Sequence, residues 1–271
     1  MPMLAKKIQP NAGGVLMPAF WENHNYIQSV RFVPPSPDAQ RQYPFSIPAV
    51  RECGAFSLQS PVTIFTGENG SGKSTILEAI AIAAGFNPEG GSRNFSFSTE
   101  DSHSGLFRFT ELTRGVYRPK DGYFLRAESF YNVASNIDQL DRAPGLGASI
   151  IDAYGGRSLH RQSHGESFLA LVEHRLRGEG LYLFDEPEAA LSPTNQLVLV
   201  RLMHQLARKN SQFLICTHSP ILLCFPGADV YELTTTPGEA FRQLPFEQTQ
   251  LFRLYQGILR APQKVMWELL K

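Results

Sequence analysis

A glycine-rich stretch in the first third of the chain has the residue types and spacing needed to bind phosphate. Its members are Gly67, Glu68, Asn69, Gly70, Ser71, Gly72, Lys73, Ser74 and Thr75. They fit the phosphate-loop pattern G-x-x-x-x-G-K-[ST] at every fixed position. The glycines let the backbone turn its N–H groups inward, Lys73 can reach the β- and γ-phosphates, and the Ser74 hydroxyl can bind Mg²⁺. Thr75 is a further donor toward the α-phosphate. The stretch predicts a Mg·ATP site; the alternative is a glycine-rich turn that binds nothing.

Two adjacent acids follow the apolar run of residues 181–184. Such a run predicts a buried strand, and charged groups at its end are costly unless they are used. Asp185 is therefore expected to hold Mg²⁺ opposite Ser74, and Glu186 to orient or deprotonate the attacking water. The alternative is that the acids cap the following helix, but capping explains only one of them.

Three further features bear on the same chemistry. His218 follows another apolar run and could hydrogen-bond the γ-phosphate and the water; the alternative is a structural histidine. A helix is predicted to begin close to Gly165, with Ser163 and the Gly165 amide at its positive end. Tyr43 and Phe45 are candidates to stack on adenine, with core packing as the alternative.

The hydrophobic pattern also predicts the elements that position these residues. The predicted strands are 26–33, 56–58, 61–66, 106–112, 123–127, 181–184, 212–217 and 230–233. The predicted helices are 76–84, about 165–176, 195–209 and about 247–260. A turn is predicted at residues 120–122 and loops at 87–92 and 136–156. The phosphate loop, the acid pair and His218 each follow a predicted strand, which is where α/β proteins bind ligands.

Composition narrows the class of protein. The 271 residues include 25 Lys plus Arg and 25 Asp plus Glu, so a strongly basic nucleic-acid binder is not indicated, although a local patch remains open. The 3 cysteines show no metal-ligand spacing and suit a reducing cytoplasm. No apolar run approaches the roughly 20 residues that span a bilayer. We expect one domain over residues 1–271, with a proline-rich segment at 1–48 and an inserted β/helical lobe at about 87–180.

The motifs resemble those of the ABC-type ATPases in kind and in order. They are the phosphate loop, the signature at Gln162-Ser163-His164-Gly165-Glu166 (usually LSGGQ), the strand 181–184 with Asp185 and Glu186, the D-loop-like Ala189-Ala190-Leu191-Ser192-Pro193, and His218. The resemblance covers roughly residues 55–225. It implies a mostly parallel central sheet flanked by helices, an N-terminal antiparallel β part and a helical lobe that carries the signature.

The resemblance also implies roles for single residues. The catalytic residues would be Glu186, His218 and Lys73. Ser163, Gly165 and Glu166 would contact the γ-phosphate bound by a second copy of the chain, so the family implies a homodimer that packs head to tail on ATP. The family's Gln loop has no clear match, and Glu128 is the best substitute as a metal-site residue.

Two residues depart from the family pattern. His164 replaces the first signature glycine, while Ser163 and Gly165 keep the phosphate-contacting groups. Ser192 replaces the D-loop aspartate, which puts communication between two sites in doubt.

The amino-acid sequences of the phosphate loop and the signature resemble those of the soluble branch of SMC and RecF-like ATPases. Lys73 and Ser163 are only 90 positions apart, which leaves no room for the long arms of SMC proteins. The leading function is a soluble, cytoplasmic ATPase that dimerises on ATP, with DNA maintenance, defence against foreign DNA or switching of a partner protein as its output. The alternatives are the nucleotide-binding subunit of a membrane transporter and a non-catalytic clamp. Basic residues at 157, 160, 161 and 164 could touch nucleic acid or face the partner's triphosphate.

Overall fold

Ten strands form two sheets in the computed structural model, which describes residues 24–34, 36, 38–92, 104–126 and 164–271. The strands are β1 (Ile27–Phe32), β2 (Ala55–Ser57), β3 (Val62–Gly67), β4 (Gly91–Ser92), β5 (Thr110–Arg114), β6 (Asp121–Arg126), β7 (Gly180–Asp185), β8 (Gln212–Cys216), β9 (Asp229–Leu233) and β10 (Phe241–Gln243). The central sheet has the order β10-β9-β3-β8-β7-β6-β4. Its five inner strands are parallel and its two edge strands are antiparallel to their neighbours. The carboxyl ends of β3, β8, β7 and β6 therefore lie side by side.

Helices cover both faces of the central sheet. They are α1 (Pro48–Cys53), α2 (Lys73–Ala83), α3 (His164–Ala170), α4 (Pro193–Ala207), α5 (Pro220–Leu223), α6 (Gln250–Arg260) and α7 (Pro262–Leu269). One turn of π-helix, Leu171–Arg175, continues α3. Within the described ranges, no helix is long and apolar enough to cross a membrane.

The core consists of two layers of side chains, one on each face of the central sheet. In β7, Tyr182 and Phe184 belong to the layer that includes α4, whereas Leu181 and Leu183 belong to the layer that includes α2. Because both faces are covered, the strand is apolar at every position up to Asp185. This double burial is the physical reason for the continuous apolar runs in the sequence.

A small antiparallel sheet, in the order β2-β1-β5, packs beside the central sheet. A buried glutamine at the start of β8 joins the two. Gln212 Oε1 accepts from the backbone N–H groups of Tyr26 and Ile27 at 2.9 and 3.0 Å, and its Nε2 donates to the Ile27 carbonyl at 2.8 Å. With Gln212 only 1% exposed, this amide fixes the start of β1 against the central sheet.

The predicted fold class is confirmed, and most predicted strands appear within one or two residues of their bounds. The strand predicted at 106–112 is wrong in its first half, because residues 105–109 form a 3-10 turn. Ser104 Oγ accepts from the Leu106 N–H at 3.2 Å, and Thr110 Oγ1 donates to the Leu106 carbonyl at 2.9 Å. These local hydrogen bonds favour a turn over an extended chain.

Three smaller predictions also need correction. Asp121 and Gly122 begin β6 rather than a turn, since Asp121 is held by Arg175 at 3.0 Å and by the Tyr182 hydroxyl at 3.0 Å. The predicted loop at 87–92 ends in the short strand β4. The C-terminal helix begins at residue 250 behind a Thr249 cap, and α7 was not predicted.

Candidate active site

The phosphate loop connects β3 to α2, as its motif predicts. Gly67 ends β3 and Lys73 begins α2. Gly72, the residue before the helix, has φ of +100°, and a Cβ there would lie 2.8 Å from the Ile47 side chain, so only glycine fits. Glu68, Asn69 and Gly70 are exposed at the tip of the loop, while Ser74 and Thr75 are half-buried in the first turn of α2. The loop therefore presents its backbone and the start of a helix to one spot.

Lys73 lies inside this loop and is only 4% exposed. Its Nζ donates to the carbonyl oxygens of Gly67 and Glu68 at 3.0 and 2.9 Å. Burial lowers the pKa of Lys73, although Cys216 and the acids at 185, 186 and 188 act in the opposite direction. An anion placed beside Nζ would raise the pKa of Lys73 again and favour its charged form, which suits a phosphate ligand.

The predicted metal ligands are in direct contact. Ser74 Oγ, on the first turn of α2, donates to Asp185 Oδ1 at 2.9 Å. Asp185 is the last residue of β7 and is 8% exposed. A hydroxyl and a carboxylate side by side are oxygen donors of the kind that Mg²⁺ prefers. The structure thus brings together two residues that lie 111 positions apart.

The predicted catalytic pair lies next to this contact. Glu186 Oε1 is 3.4 Å from His218 Nε2, and both side chains are partly exposed, at 40% and 31%. Glu186 has φ of +50°, a conformation that is strained for a side chain of this kind and occurs at active sites. Its N–H donates to the Cys216 carbonyl at 3.0 Å, which ties the end of β7 to the end of β8. The two side chains face one place where a water and a terminal phosphate could meet.

Two residues that lie beside the site were not predicted from the sequence. Arg126 ends β6, and its Nε lies 4.0 Å from Asp185 Oδ2. Glu188 accepts a hydrogen bond from the backbone N–H of His218, while its other oxygen, Oε2, is buried without a hydrogen-bond partner among the described groups. Arg126 stands at the end of a predicted strand, and that position was the one signal that could have found it.

The signature helix packs on its own chain's D-loop-like turn. A Cβ on Gly165 would lie 2.8 Å from the Ala190 carbonyl and 3.3 Å from Asn195 Nδ2, so this close approach requires glycine. Ser192, which replaces the family's aspartate, accepts from the Asn195 N–H at 3.3 Å and caps α4. Serine and aspartate are equally good at that capping position, so the replacement keeps the local structure.

Several predicted residues stay untested by this geometry. Ser163 and Glu128 lie outside the described residues, as does the loop predicted at 136–156; Glu166 is exposed on the first turn of α3. Phe45 is 4% exposed and packs edge-on against Phe109, so it belongs to the core and not to an adenine pocket. Tyr43 is 66% exposed and remains a candidate for stacking on the base.

The residues present fit Mg·ATP. Ser71 Oγ, in the phosphate loop, is buried and makes no hydrogen bond within the described part of the chain, so it is an unsatisfied polar atom at the phosphate site. His218 Nε2 is likewise buried without hydrogen-bond geometry to its neighbours there. Ser74 and Asp185 would hold the metal, and the loop N–H groups with Lys73 would hold the phosphates.

Comparisons with known proteins agree with the site. A family model described as AAA domain matches residues 46–128, and one described as AAA ATPase domain matches residues 168–223. A Haemophilus influenzae protein described as an uncharacterized ABC transporter ATP-binding protein is 26% identical over 193 residues, 65% of this chain and 71% of that one.

Solved structures with a similar chain path are more distant. The SMC head domain from Thermotoga maritima is 15% identical with a TM-score of 0.43, covering 81% of this chain and 99% of that one. An ATP-binding cassette of an ABC transporter in its ADP conformation is 17% identical with a TM-score of 0.49, covering 86% and 99%. The assignment therefore depends on the matched family models and on the motifs. Both matched models describe AAA-type ATPase domains, and the motifs of the chain resemble those of P-loop ATPases of the ABC type.

Proposed function

We propose that the protein binds Mg·ATP, dimerises head to tail on ATP and hydrolyses it to switch the conformation of a macromolecular partner. The observation that carries the proposal is the meeting of four strand ends. There the Ser74–Asp185 contact of 2.9 Å lies beside the Glu186–His218 contact of 3.4 Å. Metal ligands and water-activating groups at one edge of the sheet are what phosphoryl transfer to water requires.

Each side chain has one task in the reaction. Lys73 and the N–H groups at the start of α2 bind the β- and γ-phosphates and stabilise charge on the transferred group. When bound, Mg²⁺ neutralises phosphate charge and fixes the orientation of the triphosphate. Glu186 orients the attacking water and accepts its proton at a carboxylate oxygen. His218 Nε2 donates a hydrogen bond to a γ-phosphate oxygen and positions that water.

The number of helix ends supports the proposed dimer. The phosphate loop already uses the start of α2, whereas the start of α3 packs through Gly165 on the turn at Pro187–Ala190 of its own chain. In a head-to-tail pair, the α3 end of one copy would cover the γ-phosphate of the other, with Ser163, Gly165 and Glu166 nearest to it. One triphosphate would then lie between two helix N-termini.

The test uses the catalytic acid. Glu186→Gln removes the proton acceptor but keeps the binding groups, so it should form a stable dimer with Mg·ATP and be monomeric without nucleotide. Adding Ser163→Arg should abolish that dimer, because a bulky cation would replace a small donor at the seam. Light scattering with and without ATP measures both states. A Glu186→Gln protein that stays monomeric at saturating ATP would overturn the composite site.

The partner can be found by its effect on turnover. We propose DNA maintenance or defence in the cytoplasm, in keeping with the SMC and RecF-like wording of the motifs and with free thiols at all three cysteines. The similarity to the Haemophilus influenzae protein supports the second candidate, a nucleotide-binding subunit of a transporter. ATPase rates should be compared with duplex DNA, single-stranded DNA, RNA and no addition, across salt concentrations. Stimulation by DNA that salt removes supports the first candidate, and no response to any nucleic acid favours the second.

A further inference from the structure

A guanidinium group lies beside the predicted metal ligands. Arg126 is the last residue of β6, and it pairs in register with Asp185, the last residue of the neighbouring parallel strand β7. Arg126 Nε is 4.0 Å from Asp185 Oδ2, while Ser74 contacts the other oxygen, Oδ1. One carboxylate therefore has a hydroxyl on one side and a cation on the other.

The guanidinium is held in this place by a second acid. Arg126 Nη1 contacts Glu78 Oε2 at 2.7 Å and also donates to the Pro88 carbonyl at 3.3 Å. Glu78, on α2, is 7% exposed, and its other oxygen accepts from the Ser104 N–H at 2.9 Å. Arg126 is thus the charge partner of a buried acid, which fixes its position independently of Asp185.

We propose that Arg126 weakens the binding of a bare divalent cation at Asp185. Its guanidinium is a counter-ion of the Asp185 carboxylate, so Arg126 is a positioning residue of the metal site that acts through Asp185. The inference deepens the proposed function, on which it rests, because it makes metal entry depend on the nucleotide. A triphosphate brings enough negative charge to outweigh one guanidinium, whereas Asp185 alone does not. At the effective dielectric of a partly buried site, a guanidinium beside the same carboxylate should lower the affinity of the site for a divalent ion about tenfold or more.

The experiment titrates Mn²⁺ without nucleotide and follows free Mn²⁺ by electron paramagnetic resonance. Removing Arg126 alone would leave Glu78 buried and unpaired, so the informative variant is Arg126→Gln with Glu78→Gln, an uncharged amide pair. The variant removes one charge of each sign, but it removes the guanidinium that lies 4.0 Å from Asp185, so we expect it to bind Mn²⁺ more tightly than the wild type, by up to about tenfold. Arg126→Lys, which keeps the charge, should stay within about threefold of the wild type. Adding Asp185→Asn to the double variant should remove the gain, which locates the ion.

The outcomes separate this proposal from a structural role and from the proposed function. A folded double variant with wild-type Mn²⁺ affinity, or a gain that survives Asp185→Asn, would overturn the counter-ion role. If circular dichroism shows that the double variant is unfolded, Glu78→Gln alone decides. It frees Arg126 to approach Asp185, so Mn²⁺ affinity should fall, and an unchanged or higher affinity would overturn the proposal. None of the titrations contains ATP. A wild type without ATPase activity would therefore contradict the proposed function, while the Mn²⁺ affinities would still test the role of Arg126.

Discussion

Replacing Glu188 should slow ATP hydrolysis much more than it weakens ATP binding. Glu188 lies on the turn at Pro187–Ala190, and its Oε1 accepts from the backbone N–H of His218. The carboxylate thereby joins the segment after β7, which carries Glu186, to the segment after β8, which carries His218. Glu188 would therefore affect catalysis by fixing the position of the His218 ring relative to Glu186. In the structure, His218 Nε2 lies 3.4 Å from Glu186 Oε1.

The magnitude follows from that one hydrogen bond. A hydrogen bond to a charged acceptor contributes about 1.5–3 kcal/mol. If the misplacement of His218 raises the activation free energy by about 2 kcal/mol, kcat should fall about 30-fold in Glu188→Ala. Glu188→Gln keeps an acceptor oxygen but loses the charge, so we expect a loss of about fivefold or less. The KM for ATP should change by no more than about threefold in either variant, because the phosphate-loop contacts remain.

The assay is steady-state ATPase activity with a coupled readout of ADP, together with thermal unfolding of each variant. Glu173→Ala provides a control, since Glu173 is an exposed carboxylate on the π-helical turn. Equal losses in the alanine and glutamine variants would point to the charge and not to the hydrogen bond. A Glu188→Ala protein with kcat within twofold of the wild type would refute the positioning role.

Three further predictions concern binding, turnover and pH. Lys73→Ala should lose nearly all Mg·ATP binding in a fluorescent-nucleotide titration, since the phosphates lose their main charge partner; normal affinity would remove the phosphate-loop assignment. His218→Ala should lower kcat far more than it raises the dissociation constant for ATP, and equal losses would make His218 structural. Burial raises the pKa of Tyr26 from 10.0 to about 12, and its hydroxyl donates to the Asn210 carbonyl at 2.6 Å. The raised pKa means that its contribution to stability is full below pH 10 and falls as pH rises toward 12. Urea unfolding of Tyr26→Phe should show a shallower decline over that range, and an unchanged decline would contradict it.

The central strands could be predicted because their burial leaves a strong trace in the sequence. Residues 181–184 and 213–216 are apolar at consecutive positions, since both faces of the sheet are covered. The polar residues that follow them mark the carboxyl edge of the sheet, where Asp185 and His218 lie. The turn at 105–109 could not be predicted in the same way. Its apolar and polar residues alternate as in a strand, and the Ser104 and Thr110 hydrogen bonds that bend it leave no periodic signal.

Most of the predicted site residues belong to a local motif, whereas Glu128 does not. Ser74 belongs to the phosphate loop, and Asp185 and Glu186 to the end of an apolar strand, so their types and spacing were sufficient. Arg126 and Glu188 have no such motif, because their roles depend on which strands are neighbours.

Arg126 acquires its place only when β6 lies next to β7 with residues 126 and 185 in register, which is a long-range choice of the fold. The same argument explains why Glu128 was selected from this segment. The sequence marks the end of β6 as a functional position, but it cannot tell which side chain near that end faces the metal ligands. In the described part of the chain, the residue found beside Asp185 at this strand end is a cation. Glu128 lies outside the described residues and stays a prediction. The Mn²⁺ titration of the Arg126 variants measures the sign of the guanidinium's effect on the metal site.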